Sequence, residues 1–308
     1  MKGMLREFVV DQLKVKIFRD RKEMGEVAGR AVAEKMREIL KTKRLLSMVF
    51  ASAPSQNEFL EALGQSPGID WSEVTALHLD EYVGLSSEAP QSFSHFLREK
   101  LFEKVHPGRV FYLNGMAEDL EAECRRYATL LKQHPLDIAC IGIGENGHLA
   151  FNDPPFADFH DPYLVKVVEL DAISRKQQVH DGCFQSLKDV PGKAITLTIP
   201  AILSAAFIYC MVPGPTKAEA VRRAIQGPLS TSCPASILRI HSDALLFLDE
   251  DSARLLGAGW SPTGYSPWPL HMLHRAEPSE AYPTTLFQSF EGYPLRIHPR
   301  SERPWLSA

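Results

Sequence analysis

The residues best suited to chemistry cluster in Gly142-Ile143-Gly144-Glu145-Asn146-Gly147-His148-Leu149-Ala150-Phe151-Asn152-Asp153-Pro154. This stretch follows an apolar run, 136–141, that reads as a buried strand. A strand, a glycine turn, then a histidine and a carboxylate is how an α/β protein presents acid–base groups at the carboxyl edge of its sheet. An imidazole near an aspartate is held in one tautomer and has its pKa set by the acid. The same letters satisfy G-x-G-x-x-G, and 165–171 reads as a second strand ending in an acid, as a dinucleotide site requires. The context excludes that site. Its third glycine should open a helix, whereas this chain continues through Asn152, Asp153, Pro154, Pro155 and Pro162. The expectation is a catalytic turn that aims His148 and Asp153 into a pocket, with Asn146 beside them.

A second acidic feature is His78-Leu79-Asp80-Glu81-Tyr82-Val83-Gly84-Leu85, directly after a strand-like run at 74–79. In a parallel sheet this puts Asp80 and Glu81 at the same edge as the glycine turn. Alone, Asp-Glu after a strand reads as a solvated turn or helix cap. With His148 nearby it supplies the second acid–base group that a two-site proton transfer needs. Val212-Pro213-Gly214-Pro215-Thr216-Lys217 leaves another strand and opens a helix, so backbone N–H groups and a lysine can form an anion site. The alternative there is a plain N-cap followed by a surface lysine. Ala51-Ser52-Ala53-Pro54-Ser55-Gln56 also joins a strand to a helix and offers hydroxyl donors where a phosphate could sit.

The elements that must hold these residues follow from periodicity. Asp20 to Glu23 has the form of a capping box, and Met24, Val27, Ala28, Ala31, Val32, Met36, Ile39 and Leu40 recur at helical spacing. Further helices are expected around Phe59–Leu63, Phe93–Phe102, Leu120–Leu131, 217–225 and 252–256. Strands are expected at 45–51, 74–79, 136–141, 194–199, 206–212 and 244–248, apolar enough to be covered on both faces. Alternating strands and helices point to a mostly parallel α/β sheet flanked by helices, in one domain over residues 1–257. Residues 258–308 hold proline, histidine and aromatics (Trp260, Tyr265, Trp268, Tyr282, Phe287, Tyr293, Trp305) without clear periodicity. They are expected to pack as an irregular strap over the domain or over a neighbouring subunit.

Bulk properties exclude several classes. A chain of 308 residues with 44% hydrophobic and 23% charged residues is an ordinary globule. A net charge of -4 gives no reason to expect nucleic acid or an anionic membrane as partner. No apolar run approaches a membrane span or a secretion signal, so the expected compartment is cytoplasmic. The five cysteines are scattered without C-x-x-C spacing, and Cys140 and Cys210 sit in strand-like runs, which argues against disulfides and against a zinc site.

Together, the stretches 79–85 and 142–154 resemble the glucosamine-6-phosphate deaminase/isomerase family, with agreeing spacing and helix order from about residue 15 to about residue 256. Two such motifs in the right order are far more specific than a glycine pattern. The resemblance implies the sugar isomerase/CoA-transferase-like (Rossmann-like) α/β fold. It also implies a deamination that turns an amino-sugar 6-phosphate, glucosamine 6-phosphate first, into fructose 6-phosphate. By position it makes Asp80 the base that moves a proton between C2 and C1, and His148 the acid/base of ring opening, supported by Asn146 and Asp153. Substrate and phosphate contacts are implied for Ser52, Ser55, Gln56, Glu81, Gly144, Lys217, Arg175 and His180, with Lys217 as the phosphate-binding lysine. Neither metal nor organic cofactor is implied. The partner is a small sugar phosphate, with a homo-oligomer open.

This chain departs from the family in three places. Asp153 stands where the family usually has Glu, one methylene shorter. Ala53 and Pro54 replace phosphate-loop glycines, and Pro54 donates no N–H. His180, with Arg175 shortly before it, stands where the family has a phosphate-gripping arginine ahead of Val190-Pro191. The alternatives are a 6-phosphogluconolactonase-like hydrolase, which shares the histidine after the glycine turn, and a sugar-phosphate-binding regulator that has lost catalysis.

Overall fold

The chain begins with two strands, β1 (Met4–Val10) and β2 (Leu13–Phe18), that form an antiparallel hairpin. The structure, a computed structural model, describes residues 4–257. In chain order follow β3 (Leu46–Phe50), β4 (Val74–His78), β5 (Asp80–Tyr82), β6 (Arg109–Phe111), β7 (Ile138–Ile141), β8 (Val165–Glu169), β9 (Lys193–Leu197), β10 (Phe207–Val212) and β11 (Ala244–Asp249). Eight strands form one sheet in the order β1-β2-β11-β10-β7-β3-β4-β6, and every pairing except β1–β2 is parallel. The described residues fall within one compact unit. The expected strap at 258–308 lies outside the described residues.

Burial follows the two-residue period of the strands. Met48, Phe50, Ile138, Cys140, Tyr209 and Met211 face one layer of the core, which includes Met24, Val32 and Met36 of helix Arg21–Leu40 and Phe59 and Leu63 of helix Asn57–Gly64. Val49, Ala139, Ile141, Ile208, Cys210 and Leu246 face the other, with Tyr127 of helix Leu120–Gln133, Ile202 of helix Ile199–Leu203 and Val221 of helix Ala218–Gln226. Central strands buried on both faces explain why they read as continuous apolar runs. All five cysteines are free. No helix among the described residues is long and apolar enough to cross a membrane.

Several expectations are corrected. Residues 193–197 are a strand, but not of the main sheet: β5, β9 and β8 form a separate antiparallel sheet. The apolar run signals burial but not which strand is the neighbour. The hairpin β1–β2 and the helices Ala172–His180 and Ile199–Leu203 also lie outside the expected elements. Asp20 caps its helix by accepting from the Glu23 amide at 2.8 Å, without the reciprocal bond of a capping box among the described contacts.

At the end of β4 lies His78, fully buried. Its Nε2 accepts from the Leu113 amide at 2.7 Å, so Nδ1 carries the hydrogen, and no described group receives it. Burial, with the Arg126 charge, pushes this imidazole down from 6.5 to about 3. The imidazole is neutral in the fold yet charges readily once unfolded. Its contribution to stability is therefore complete above pH 6.5 and is lost as pH falls from there towards 3, at about 1.4 kcal/mol per pH unit. Denaturant unfolding at several pH values should show this slope, and His78→Gln should remove one proton's worth of it. An unchanged slope in the variant would place its source elsewhere.

Candidate active site

The order of the strands determines where a site can form. From β3 the chain moves outward to β4 and β6, whereas β7 returns to the other side of β3 and leads on to β10 and β11. The β3/β7 boundary is thus a switch point, and parallel strands bring the loops after β10, β7, β3 and β4 to one edge around it. Those loops line a cleft containing Ser52, Ser55 and Gln56 after β3, Asp80 after β4, Gly142, Gly144 and His148 after β7, and Lys217 after β10. Leu79, Phe93, Ile143 and Phe151 provide apolar walls, and Gln177 and Gln178 reach in from helix Ala172–His180.

Asp80 is held by two sheets. The Leu79 amide donates to Phe50 at 3.2 Å on the main sheet, and the Leu197 amide donates to Leu79 at 2.8 Å on the small one. Asp80 itself opens β5 in register with Thr196. The residue is only 7% exposed, and no described group hydrogen-bonds its carboxylate. Burial raises its pKa well above the usual carboxylate range, with further upward push from the Glu81 and Asp153 charges. A raised, unpartnered carboxylate in a cleft has the character of a general base.

His148 sits on the glycine turn. An added Cβ at Gly144 would lie 2.1–2.3 Å from three atoms of the His148 ring, so only glycine lets the ring pack here. The His148 amide donates to Asn146 Oδ1 at 3.0 Å, and the Gly144 amide donates to the His148 carbonyl at 3.0 Å. On the ring, Nδ1 lies 2.9 Å from Asp153 Oδ1 and 2.8 Å from Ser174 Oγ. Asn146 Nδ2 donates to Asp153 Oδ1 at 2.9 Å and to Asp171 Oδ2 at 3.2 Å. Burial alone would raise the Asp153 pKa. The hydrogen bond and charge of His148, with bonds from Asn146 and Ser174, outweigh it and hold the acid at about 2. Despite its shorter side chain, Asp153 reaches the imidazole.

The far end of the cleft is polar. Lys217 is 4% exposed, which disposes of the surface-lysine alternative, and no described carboxylate pairs with it. Burial lowers its pKa, opposed by the Asp181 and Glu145 charges. Its turn is pinned from below, where the buried Asp249 accepts from the Gly214 amide at 2.9 Å. Among the described residues Ser52 Oγ and Gln56 Oε1 are buried without a partner, and Gln56 Nε2 donates to Ser55 Oγ at 3.1 Å. Buried polar atoms left over in a concave site are available to a ligand.

Three of the expected substrate contacts lie elsewhere. Glu81 accepts from the amides of Tyr82, Phe93 and Ser94 and from the Ser94 hydroxyl, so it anchors the start of helix Phe93–Leu97 and places Phe93 in the cleft wall. Arg175 turns away to donate to the carbonyls of Leu187 and Val190 at 2.7 and 3.0 Å. His180 is outside the cleft lining, 3.4 Å from the Glu145 carboxylate. Ser174, Gln177 and Gln178 were missed because the helix carrying them was missed, although Asp171 before a polar–apolar stretch is an N-cap signal.

Residues 19–247 match the family model for glucosamine-6-phosphate isomerases/6-phosphogluconolactonase. The chain is 35% identical over 237 residues to glucosamine-6-phosphate deaminase 1 of Bacillus subtilis (strain 168), covering 76% of this chain and 95% of that protein. It is 35% identical over 247 residues to the glucosamine-6-phosphate deaminase of Streptococcus pyogenes serotype M3, covering 79% and 100%. A solved monomeric glucosamine-6-phosphate deaminase superposes with a TM-score of 0.73 at 34% identity, over 78% of this chain and 99% of that one. A 6-phosphogluconolactonase from Shewanella baltica OS155 superposes at 0.65 with 20% identity, over 80% and 100%, a likeness of fold.

Proposed function

The chain belongs to the glucosamine-6-phosphate isomerase/6-phosphogluconolactonase family, and from that premise we propose that its cleft converts glucosamine 6-phosphate to fructose 6-phosphate and ammonia. The observation that carries the reading is the pair of separate acid–base groups in one cleft, Asp80 on β5 and His148 on the glycine turn. The chemistry needs two. Opening the pyranose requires a proton to leave the anomeric hydroxyl and one to reach the ring oxygen, the task of His148. In the open aldose Asp80 takes the C2 proton, giving an enolamine, and returns a proton to C1, giving a C2 imine. Water then adds at C2 and ammonia leaves. Asp153 and Asn146 keep the imidazole in place, and the Ser52 hydroxyl and the Lys217 ammonium are the donors that face the phosphate.

Deaminases at 34–35% identity over nearly their full lengths support this reading, while the lactonase likeness is one of fold alone. A purely regulatory role would leave the buried, unpartnered Asp80 without a purpose. Ammonia release from glucosamine 6-phosphate by the folded protein tests the proposal. Absence of ammonia with this sugar and with galactosamine 6-phosphate would overturn it.

The anion end yields its own expectation. With Arg175 and His180 outside the cleft lining and Pro54 lacking an N–H, Lys217 should carry more phosphate affinity than any residue of the Ser52 loop. Lys217→Ala is expected to raise KM at least about tenfold, as for a lost charge-assisted contact, and Ser55→Ala to cost less. If unphosphorylated glucosamine binds as tightly as its 6-phosphate, and Lys217→Ala changes neither, this end serves another group.

A further inference from the structure

A residue that belongs to neither motif completes the surroundings of His148. Ser174 lies in the first turn of helix Ala172–His180 and is fully buried. Its hydroxyl touches Asp153 Oδ1 closely and lies 2.8 Å from His148 Nδ1, while Asp153 Oδ1 is 2.9 Å from the same nitrogen. Asn146 Nδ2 bonds that same oxygen, and the Asp171 amide donates to Asp153 Oδ2 at 3.2 Å. Among the described residues, Ser174 is the one hydroxyl that touches both the acid and the ring.

Counting hydrogens settles who donates. An ionised carboxylate only accepts, and a hydroxyl has a single hydrogen. The close contact between Ser174 and Asp153 is attractive only if that hydrogen points to Asp153. The serine then presents lone pairs to Nδ1, and Asp153 Oδ1 presents another. Two acceptors facing one ring nitrogen require a hydrogen on it. Nδ1 is protonated, and in the neutral ring Nε2 is left as the free base. The opposite tautomer would set three acceptor atoms against one another in a buried site.

We propose that Ser174 is a positioning residue that, together with Asp153, fixes His148 in the Nδ1–H tautomer, so that Nε2 acts as the base that opens the sugar ring. The ring-opening part rests on the function proposed above. The tautomer part does not. Ser174 acts through His148 and has no need to touch substrate. Removing its hydroxyl leaves Nδ1 with one acceptor instead of two and frees the ring to reorient.

The experiment combines nitrogen NMR of the full chain, labelled in histidine, with kinetics. The His148 signals are assigned by their loss in His148→Gln. Wild type with a neutral imidazole should show protonated Nδ1 and unprotonated Nε2. Ser174→Ala should show mixed tautomers, and Ser174→Thr, which keeps the hydroxyl, should resemble wild type. Kinetically, Ser174→Ala should lose roughly tenfold in kcat on the cyclic sugar with little change in KM, as expected for about one hydrogen bond. Its C2 proton exchange with an open-chain analogue should stay near wild type. A wild-type tautomer in Ser174→Ala, or equal losses with the two substrates, would overturn the proposal. Should Ser174→Ala fail to fold, Ser174→Cys fills the space with a much weaker donor and takes its place. Wild type that releases no ammonia would refute the deaminase reading alone, since the NMR arm decides the tautomer without substrate.

Discussion

Asp80→Asn is expected to lower turnover by roughly two to four orders of magnitude while substrate still binds, the effect of removing a general base without changing its shape. The decisive measurement is exchange of the C2 proton with solvent deuterium, and exchange at the normal rate in the variant would refute the assignment. A second readout follows from burial. As the proposed base Asp80 would work only when ionised, and its pKa lies well above the usual carboxylate range. The acid limb of kcat/KM should therefore sit at higher pH than an ordinary aspartate would give. Linkage fixes the sign for stability. A carboxyl whose folded pKa is raised stabilises the fold below its unfolded pKa, and this contribution is lost as pH rises through the folded value. Above that folded value the charged Asp80 opposes folding, so there Asp80→Asn should melt at higher temperature than wild type. A dead variant with a raised Tm separates catalytic loss from damage to the fold.

The second large loss is expected at His148. His148→Gln keeps a polar side chain but cannot shuttle a proton, so turnover of the cyclic sugar should fall by about two or more orders of magnitude. An analogue that cannot cyclise bypasses the opening step, and its C2 proton should still exchange at a rate close to wild type. Equal losses on the two substrates would mean that His148 serves both steps or holds the cleft together. The structure favours separation, because His148 is fixed by the turn after β7 and by helix Ala172–His180, whereas Asp80 is fixed by β4 and the small sheet.

Several parts of the site were legible because local chemistry determines them. The Gly144–Gly147 turn had to be a turn, since prolines soon follow and the third glycine could not open a helix. It is closed by the Gly147 amide donating to Gly144 at 3.0 Å. The apolar runs that became β3, β4, β7, β10 and β11 are buried on both faces, and the parallel arrangement then brings Asp80, His148 and Lys217 to one edge. Glu81 shows the limit. It is adjacent to Asp80, but in a strand successive side chains point to opposite faces, and this one meets the amides at the start of helix Phe93–Leu97. Arg175 is similar, since one helical position separates Ser174 beside the imidazole from a guanidinium bonded to Leu187 and Val190.

The sequence by itself determined the type of sheet, the turn that carries the imidazole and the two acid–base motifs, because backbone sterics and hydrophobic periodicity act over a few residues. Tertiary structure alone decided which strands leave the main sheet, how far each carboxylate is buried, and which hydroxyl completes the histidine. Val165–Glu169 and Lys193–Leu197 join Asp80–Tyr82 in a sheet of their own, a choice of partner that no local pattern encodes. Ser174 comes to His148 across 26 positions of sequence, and Asp80 meets the fields of Glu81 and Asp153 only once the chain is folded. Burial and long-range contact are properties of the packed chain, and they give a legible motif a carboxylate with a raised pKa and an imidazole held between Asp153 and Ser174.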